Sequence, residues 1–315
     1  GGFMKKINIY TDLALEERER FKRNIEISGV KIDKNYNKEL FMTTTDVEIF
    51  NENGAKSMGK PIGSYVTMET RLFKEDDLER QTIFAKEIAN HMEEMTKNQN
   101  IKKILIVGLG NSKATPDSLG PKVAEQIEIL PNVYCLAPGV LAQTGMETFS
   151  IVKGITAQMK PDIIIAIDSL AARNVRRITT TIQLTDTGIT PGSGIGNHRK
   201  GLNEQSLNTK VIAIGVPMVV SGATIVNDTM EKLLEILASH NQNNSISNIF
   251  KDYTSDEKYQ LFEELLSEDT EQMFVTPKDI DEIVDNLSKI IACGINMFCN
   301  CLLYTSDAAD EARSV

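Results

Sequence analysis

Three stretches decide the fold: IKKILIVGLG at residues 101–110, PDIIIAID at 161–168 and TKVIAIGVP at 209–217. Each is a short, almost unbroken apolar run rich in Ile and Val, bounded by Gly, Pro or a charged residue. A strand covered on both faces needs this pattern, whereas a half-exposed strand alternates. Helical patterns separate the runs, and buried strands alternating with helices imply right-handed crossovers. The expected fold class is therefore α/β, with a doubly wound, mainly parallel sheet flanked by helices. Such sheets place their working residues beyond the carboxyl ends of the strands.

Upstream, TTTDVEIF and GSYVTMET between Val30 and Thr70 alternate and are β-branched, with Asn-Gly and Pro-Ile-Gly as turn signals. They predict a small antiparallel β region over 30–70. TDLALEERERFKRNIEI, 11–27, has apolar residues at helical spacing and predicts a surface helix; a second is expected from Asp76 to Thr96. Downstream, 240–276 is polar and acidic and reads as an excursion on the surface. A last helix, Pro277 to Phe298, carries Ile280, Ile283, Val284, Leu287 and Ile291 on one face. The ends lie outside this scheme. Gly1-Gly2-Phe3 before Met4 reads as an added remnant, and the composition of 302–315 changes abruptly, predicting an artefactual or structureless tail. The expected division is thus 1–10 as remnant and short leader, 11–300 as one domain, and 302–315 as tail.

The 315 residues are 41% hydrophobic and 25% charged, enough for one sizeable core, and the formal net charge is -10. An acidic surface repels phosphate backbones, so no direct nucleic-acid partner is expected. No apolar run approaches the roughly 18–20 residues a membrane span needs, and the N-terminus lacks the charged-then-apolar layout of a signal peptide, so a cytosolic protein with no membrane partner is expected. Cys135, Cys293, Cys299 and Cys301 form no pair of CxxC units and read as reduced thiols.

Chemistry gathers in three places. The first strand ends in GLGN, 108–111, and continues SKATPDSLGPKVA into a helix. The glycines suggest a dinucleotide loop, but the third glycine and the acidic ribose ligand of that fingerprint are missing, so no cofactor is expected. The loop does supply Asn111 and, near the helix start, Asp117. PDIIIAIDSLAAR delivers Asp168 straight after five apolar residues; it can be a catalytic carboxylate or can cap a following helix. Two aspartates from neighbouring strand ends can share one water, one as general base and one as general acid. The third cluster, TTIQLTDTGITPGSGIGNHRK, 180–200, contains Asp186 in an Asp-Thr-Gly tripeptide, a glycine-rich loop around Gly194 whose N–H groups suit an anion, and His198 and Arg199. These four and Asn111 are candidate supporting residues, or the loop is a plain solvated one. Carboxylates with His198 can also hold a divalent ion. Ser118, Ser169 and Ser193 lack the GxSxG elbow, and Cys135 sits in an apolar neighbourhood unsuited to an activated thiol.

The strings TDLALE, GLGNSKATPDSLGPKV, APGVLAQTGMET, PDIIIAIDSLAAR, TTIQLTDTGITPGSGIGNHRK and AIGVPMVVSGATI, in this order over 11–228, resemble the germination protease family of endospore-forming bacteria. The resemblance implies an aspartic-type endopeptidase that degrades small acid-soluble spore proteins in the forespore or spore core. It also implies a zymogen that removes a short N-terminal propeptide, a homotetramer, and a core like that of hydrogenase-maturation endopeptidases; a cut close to TDLALE is expected here. The family's two catalytic aspartates fall on Asp117 and Asp168. Two other classes stay open: a metal-dependent maturation-type peptidase on the same fold, and a non-enzymatic Rossmann-like binding protein.

Overall fold

The computed structural model describes Leu13, Glu16, residues 27–97, 99–191 and 200–240, Tyr253, Glu257, Lys258, Leu261 and residues 273–313. At 238–240 and 303–313 it describes the backbone alone. A nine-stranded mixed sheet runs through the molecule. Its parallel part comprises β4 (Ile104–Gly108), β5 (Val133–Leu136), β6 (Ile163–Ala172) and β8 (Lys210–Ser221), in the order β5-β4-β6-β8. β7 (Thr181–Thr185) lies antiparallel to β8. β3 (Gly63–Glu69), β2 (Met42–Ile49) and β1 (Val30–Asn37) then extend the sheet antiparallel to the far edge. The antiparallel region expected over 30–70 is therefore a continuation of the central sheet. β9 (Phe274–Val275) pairs with the end of β8.

Both faces of the parallel strands are covered, which is why their sequences are apolar throughout. Ile104, Ile106, Ile163, Ile165, Ile167, Ile212 and Ile214 face one layer of helices, formed by α2 (Leu78–Met95), α3 (Leu119–Ala124) and α8 (Ile280–Arg313). Leu105, Val107, Ile164, Ala166 and Val211 face the other. That second layer includes α5 (Thr148–Met159) and α6 (Glu204–Leu207), with the four-residue α4 (Leu141–Thr144) just before α5. α7 (Gly222–His240) follows β8 directly. Alternation along a strand sends successive side chains to opposite layers, so Asp168 shares the face of Ile164 and Ala166.

Several expectations change. Asn53-Gly54 makes no hairpin turn. The Asn51 side chain accepts the Gly54 N–H at 2.9 Å and starts α1 (Glu52–Met58), so the chain leaves β2 through a capped helix. The strand at 163 does not stop at Asp168 but runs to Ala172, so Asp168 caps no helix. The final helix does not stop at Phe298. Its backbone continues to Arg313, through a stretch without Gly or Pro that includes Ala308, Ala309 and Ala312, where a structureless tail is expected from composition. The five apolar residues named on this helix are all buried. The expected helix over 11–27 lies outside the described residues apart from Leu13 and Glu16, both buried, and Ile27, partly buried. Most of 240–276 lies outside them too.

Candidate active site

The geometry starts from the unequal lengths of two adjacent strands. β4 ends at Gly108, opposite Ile167 of β6, and the Leu109 N–H donates to the Ile167 carbonyl at 2.8 Å. The next residue of β6 is Asp168, the first to run past the end of β4. Its far-side partner on β8 is Gly215. Asp168 is only 5% exposed, and one carboxylate oxygen accepts the Ser169 N–H at 2.9 Å.

The chain leaving β4 folds back over this step. A 3-10 turn, Thr115–Asp117, rests on β6, β8 and α8 and leads directly into α3. Gly120 makes this possible: a Cβ there would lie 2.2 Å from the Leu109 carbonyl oxygen and 2.7 Å from that of Ile167. Only a glycine lets the first turn of α3 sit on the backbone of both strands. Asp117, three residues earlier, is thereby held at the same end of the sheet as Asp168.

Asp117 is held by its own loop. The Asn111 N–H donates to the Asp117 carboxylate Oδ2 at 2.8 Å and to the Asp117 carbonyl at 2.9 Å, while the Asp117 N–H donates to the Ala114 carbonyl at 2.8 Å. The Asn111 side-chain oxygen accepts the Lys113 N–H at 3.0 Å and a hydrogen from the Gln143 amide. A half-exposed carboxylate with a fixed orientation stands beside a strand bearing a buried one. Carboxylates are groups that can remove or donate a proton, so this end of the sheet offers two candidates for that chemistry.

Asn111, Asp117 and Asp168 thus come to one end of the sheet, and Asp186 does not. β7 runs antiparallel to β8, with Gln183 opposite Gly215 and Thr185 opposite Ala213, so Asp186 leaves toward the amino ends of the parallel strands. There its Oδ1 accepts the Ser64 N–H at 2.8 Å, fixing the entry to β3. Beside it, burial pushes the Tyr65 hydroxyl up to about 12. The Asp-Thr-Gly tripeptide is here a strand-end fastening. Gly194, His198 and Arg199, with Ser193, lie outside the described residues. The chain is described again at Lys200, whose ammonium stands 5.6 Å from the ring centre of Phe149 on α5.

The serines and cysteines give no nucleophile arrangement among the described residues. Ser118 is buried and donates to the Thr115 carbonyl at 2.9 Å, and the Ser169 hydroxyl is buried without a partner. Burial pushes the Cys135 thiol up to about 11 and the Cys299 thiol to about 12, and all four cysteines are unbridged. No group of three or more His, Cys, Asp or Glu side chains among the described residues is arranged to hold a metal ion. No helix among them is long and apolar enough to cross a membrane.

Sequence reasoning missed Gln143. It stands in APGVLAQTGMET, where a lone glutamine in a polar loop carries no local signal. Only the fold brings it to Asn111.

A profile described as germination protease matches residues 9–248 and 235–306. The curated germination protease of Caldanaerobacter subterraneus subsp. tengcongensis is 41% identical over 307 residues, spanning 92% of this chain and 94% of that one. The germination protease of Bacillus subtilis is 36% identical over 342 residues, spanning 91% of this chain and 92% of its own. Among solved structures, a NiFe hydrogenase maturation protease from Thermococcus kodakarensis aligns with 41% of this chain and 80% of its own, at 22% identity and a TM-score of 0.32.

Proposed function

As a member of the germination protease family this chain is a peptidase, and we propose that it is an aspartic-type endopeptidase that initiates degradation of small acid-soluble spore proteins during germination, in the spore core. The observation that supports the mechanism is the turn bearing Asp117, packed on β6, the strand that presents Asp168. One of the two carboxylates is ionised and takes a proton from water as that water adds to the scissile carbonyl. The other is protonated and gives its proton to the departing amine nitrogen. Asn111 supports the pair by holding Asp117.

The test is digestion of a purified small acid-soluble spore protein by the chain and by its Asp117→Asn and Asp168→Asn variants. Each variant is expected to keep its circular dichroism spectrum and melting temperature and to lose on the order of 10²–10⁴-fold in turnover. Near-normal turnover in either would overturn the pairing. Dialysis against a chelator is expected to leave the rate unchanged; a loss restored by added metal would support the metal-dependent reading instead.

We place the zymogen cut close to TDLALE. Leu13 is fully buried, and Glu16 accepts the Arg173 N–H at 2.9 Å, so trimming ahead of Thr11 would leave both anchors in place. Intact-mass measurement before and after mild acidification locates the cut. A homotetramer is expected, checked by sedimentation of the same preparation.

A further inference from the structure

The Asp117 carboxylate takes the Asn111 N–H at 2.8 Å, so its direction depends on where Asn111 is held. Asn111 in turn is gripped through its side-chain oxygen, from within its loop by the Lys113 N–H at 3.0 Å and from α4 by Gln143. The orientation of the Gln143 amide follows from its other end. Its Oε1 accepts the Val140 N–H at 3.3 Å, which leaves Nε2 to donate, and the Asn111 oxygen can only accept. Gly139 makes room for this. It stands at φ +71, and a Cβ there would lie 3.0 Å from the Gln143 oxygen. A side chain at 139 would press on the amide that reaches the loop.

We infer that Gln143 is a positioning residue for Asp117, acting through Asn111. This rests on the reading of Asp117 as catalytic. The alternative, that Gln143 merely stabilises the fold, fits its surroundings poorly. Residues 141–147 are all exposed, and the contact between Gln143 and Asn111 is itself on the surface. A surface hydrogen bond between neutral groups is weak support for a core, yet it fixes a direction two bonds from a reacting oxygen. Small misplacements there are felt in rate, up to about 10²-fold.

Two variants with opposite chemistry separate the possibilities. Turnover of a small acid-soluble spore protein is measured from about pH 4 to pH 8 for Gln143→Ala and Gln143→Glu, with melting temperatures alongside. Gln143→Ala is expected to lower kcat by about ten-fold with KM and melting temperature unchanged, at a ratio to the parent that does not vary with pH. In Gln143→Glu an ionised carboxylate meets the Asn111 oxygen with no hydrogen to give, so kcat falls at neutral pH. As pH drops through the ordinary glutamate range, near about 4.3, the protonated acid can donate again and the ratio to the parent should rise. Parental kcat in both variants, a raised KM at unchanged kcat, or a pH-independent Gln143→Glu ratio would each overturn the inference. Asp117→Asn in the same assay keeps the two readings apart. If it is inactive while the Gln143 variants are normal, only this inference fails; if it is active, the catalytic reading itself fails.

Discussion

Gly120 shows how much a single missing methyl can decide. With the Leu109 carbonyl 2.2 Å from where its Cβ would be, Gly120→Ala cannot be accommodated by rotating a side chain, because the obstacle is backbone. The start of α3 must lift away from β4 and β6, and the turn bearing Asp117 must move with it. We expect Gly120→Ala to lower stability by about 1–3 kcal/mol, the range for overpacked cores, and to reduce turnover by more than that loss explains. Denaturant titration beside the digestion assay checks this, and a variant with parental activity would show that α3 does not set the place of Asp117. Asp186 teaches the opposite lesson. Its tripeptide looks catalytic in one dimension, but its carboxylate is already committed to the Ser64 N–H.

Among the elements, the β1–β2 pair carries an avoidable electrostatic burden. Asp33 and Asp46 are direct cross-strand partners, and like charges so placed destabilise a sheet. The groups facing Asp46 are His91 of α2 and Asp33 and Lys31 of β1. Burial first, then the Asp33 charge, raise its carboxyl above the ordinary 3.8 despite the opposing pull of His91 and Lys31. A raised value in the folded state means that ionising Asp46 works against folding. This penalty is absent below 3.8, where the group is protonated in both states, and appears as pH rises through the folded value. Asp46→Asn should therefore stabilise the protein by about 0.5 kcal/mol at pH 7 and leave it unchanged in acid. Chemical denaturation at the two pH values gives the comparison, and equal stability gains at both would refute the charge explanation. The same strand pair shows where the sequence was readable: alternation marked β2 and β3 correctly. The Asn53-Gly54 turn signal failed because Asn51 capped a helix that local turn propensity could not anticipate.

Across the whole molecule, Arg177 joins distant parts of the chain. Its Nε stands 3.0 Å from Glu69 at the end of β3, and its NH1 3.5 Å from Glu16 in the N-terminal segment. Glu16 also accepts the Arg173 N–H just beyond β6. Both Glu16 and Arg177 are buried, and removing the Glu16 charge leaves the Arg177 guanidinium with Glu69 as its remaining carboxylate partner. Glu16→Gln keeps an acceptor for Arg173 while removing the charge. It should cost about 1–3 kcal/mol and lower the melting temperature by roughly 2–5 °C. Calorimetry tests this, and a loss under about 1 kcal/mol would mean that Glu69 and solvent suffice for Arg177.

By itself the sequence determined the buried parallel strands and the apolar faces of the helices over 78–95 and 280–298 that pack on them, and it brought Asp117 and Asp168 forward as candidates. These follow from short-range facts: apolar runs must be covered, periodicity fixes which face is apolar, and a charged residue ending such a run needs a reason. The tertiary structure alone decided that the antiparallel strands continue the central sheet, that Asp186 points to its other end, and that Gln143 reaches Asn111. Those outcomes depend on strand order, register and the closeness that Gly120 permits, and no local pattern encodes them because the residues involved lie tens of positions apart and meet only when the chain has closed.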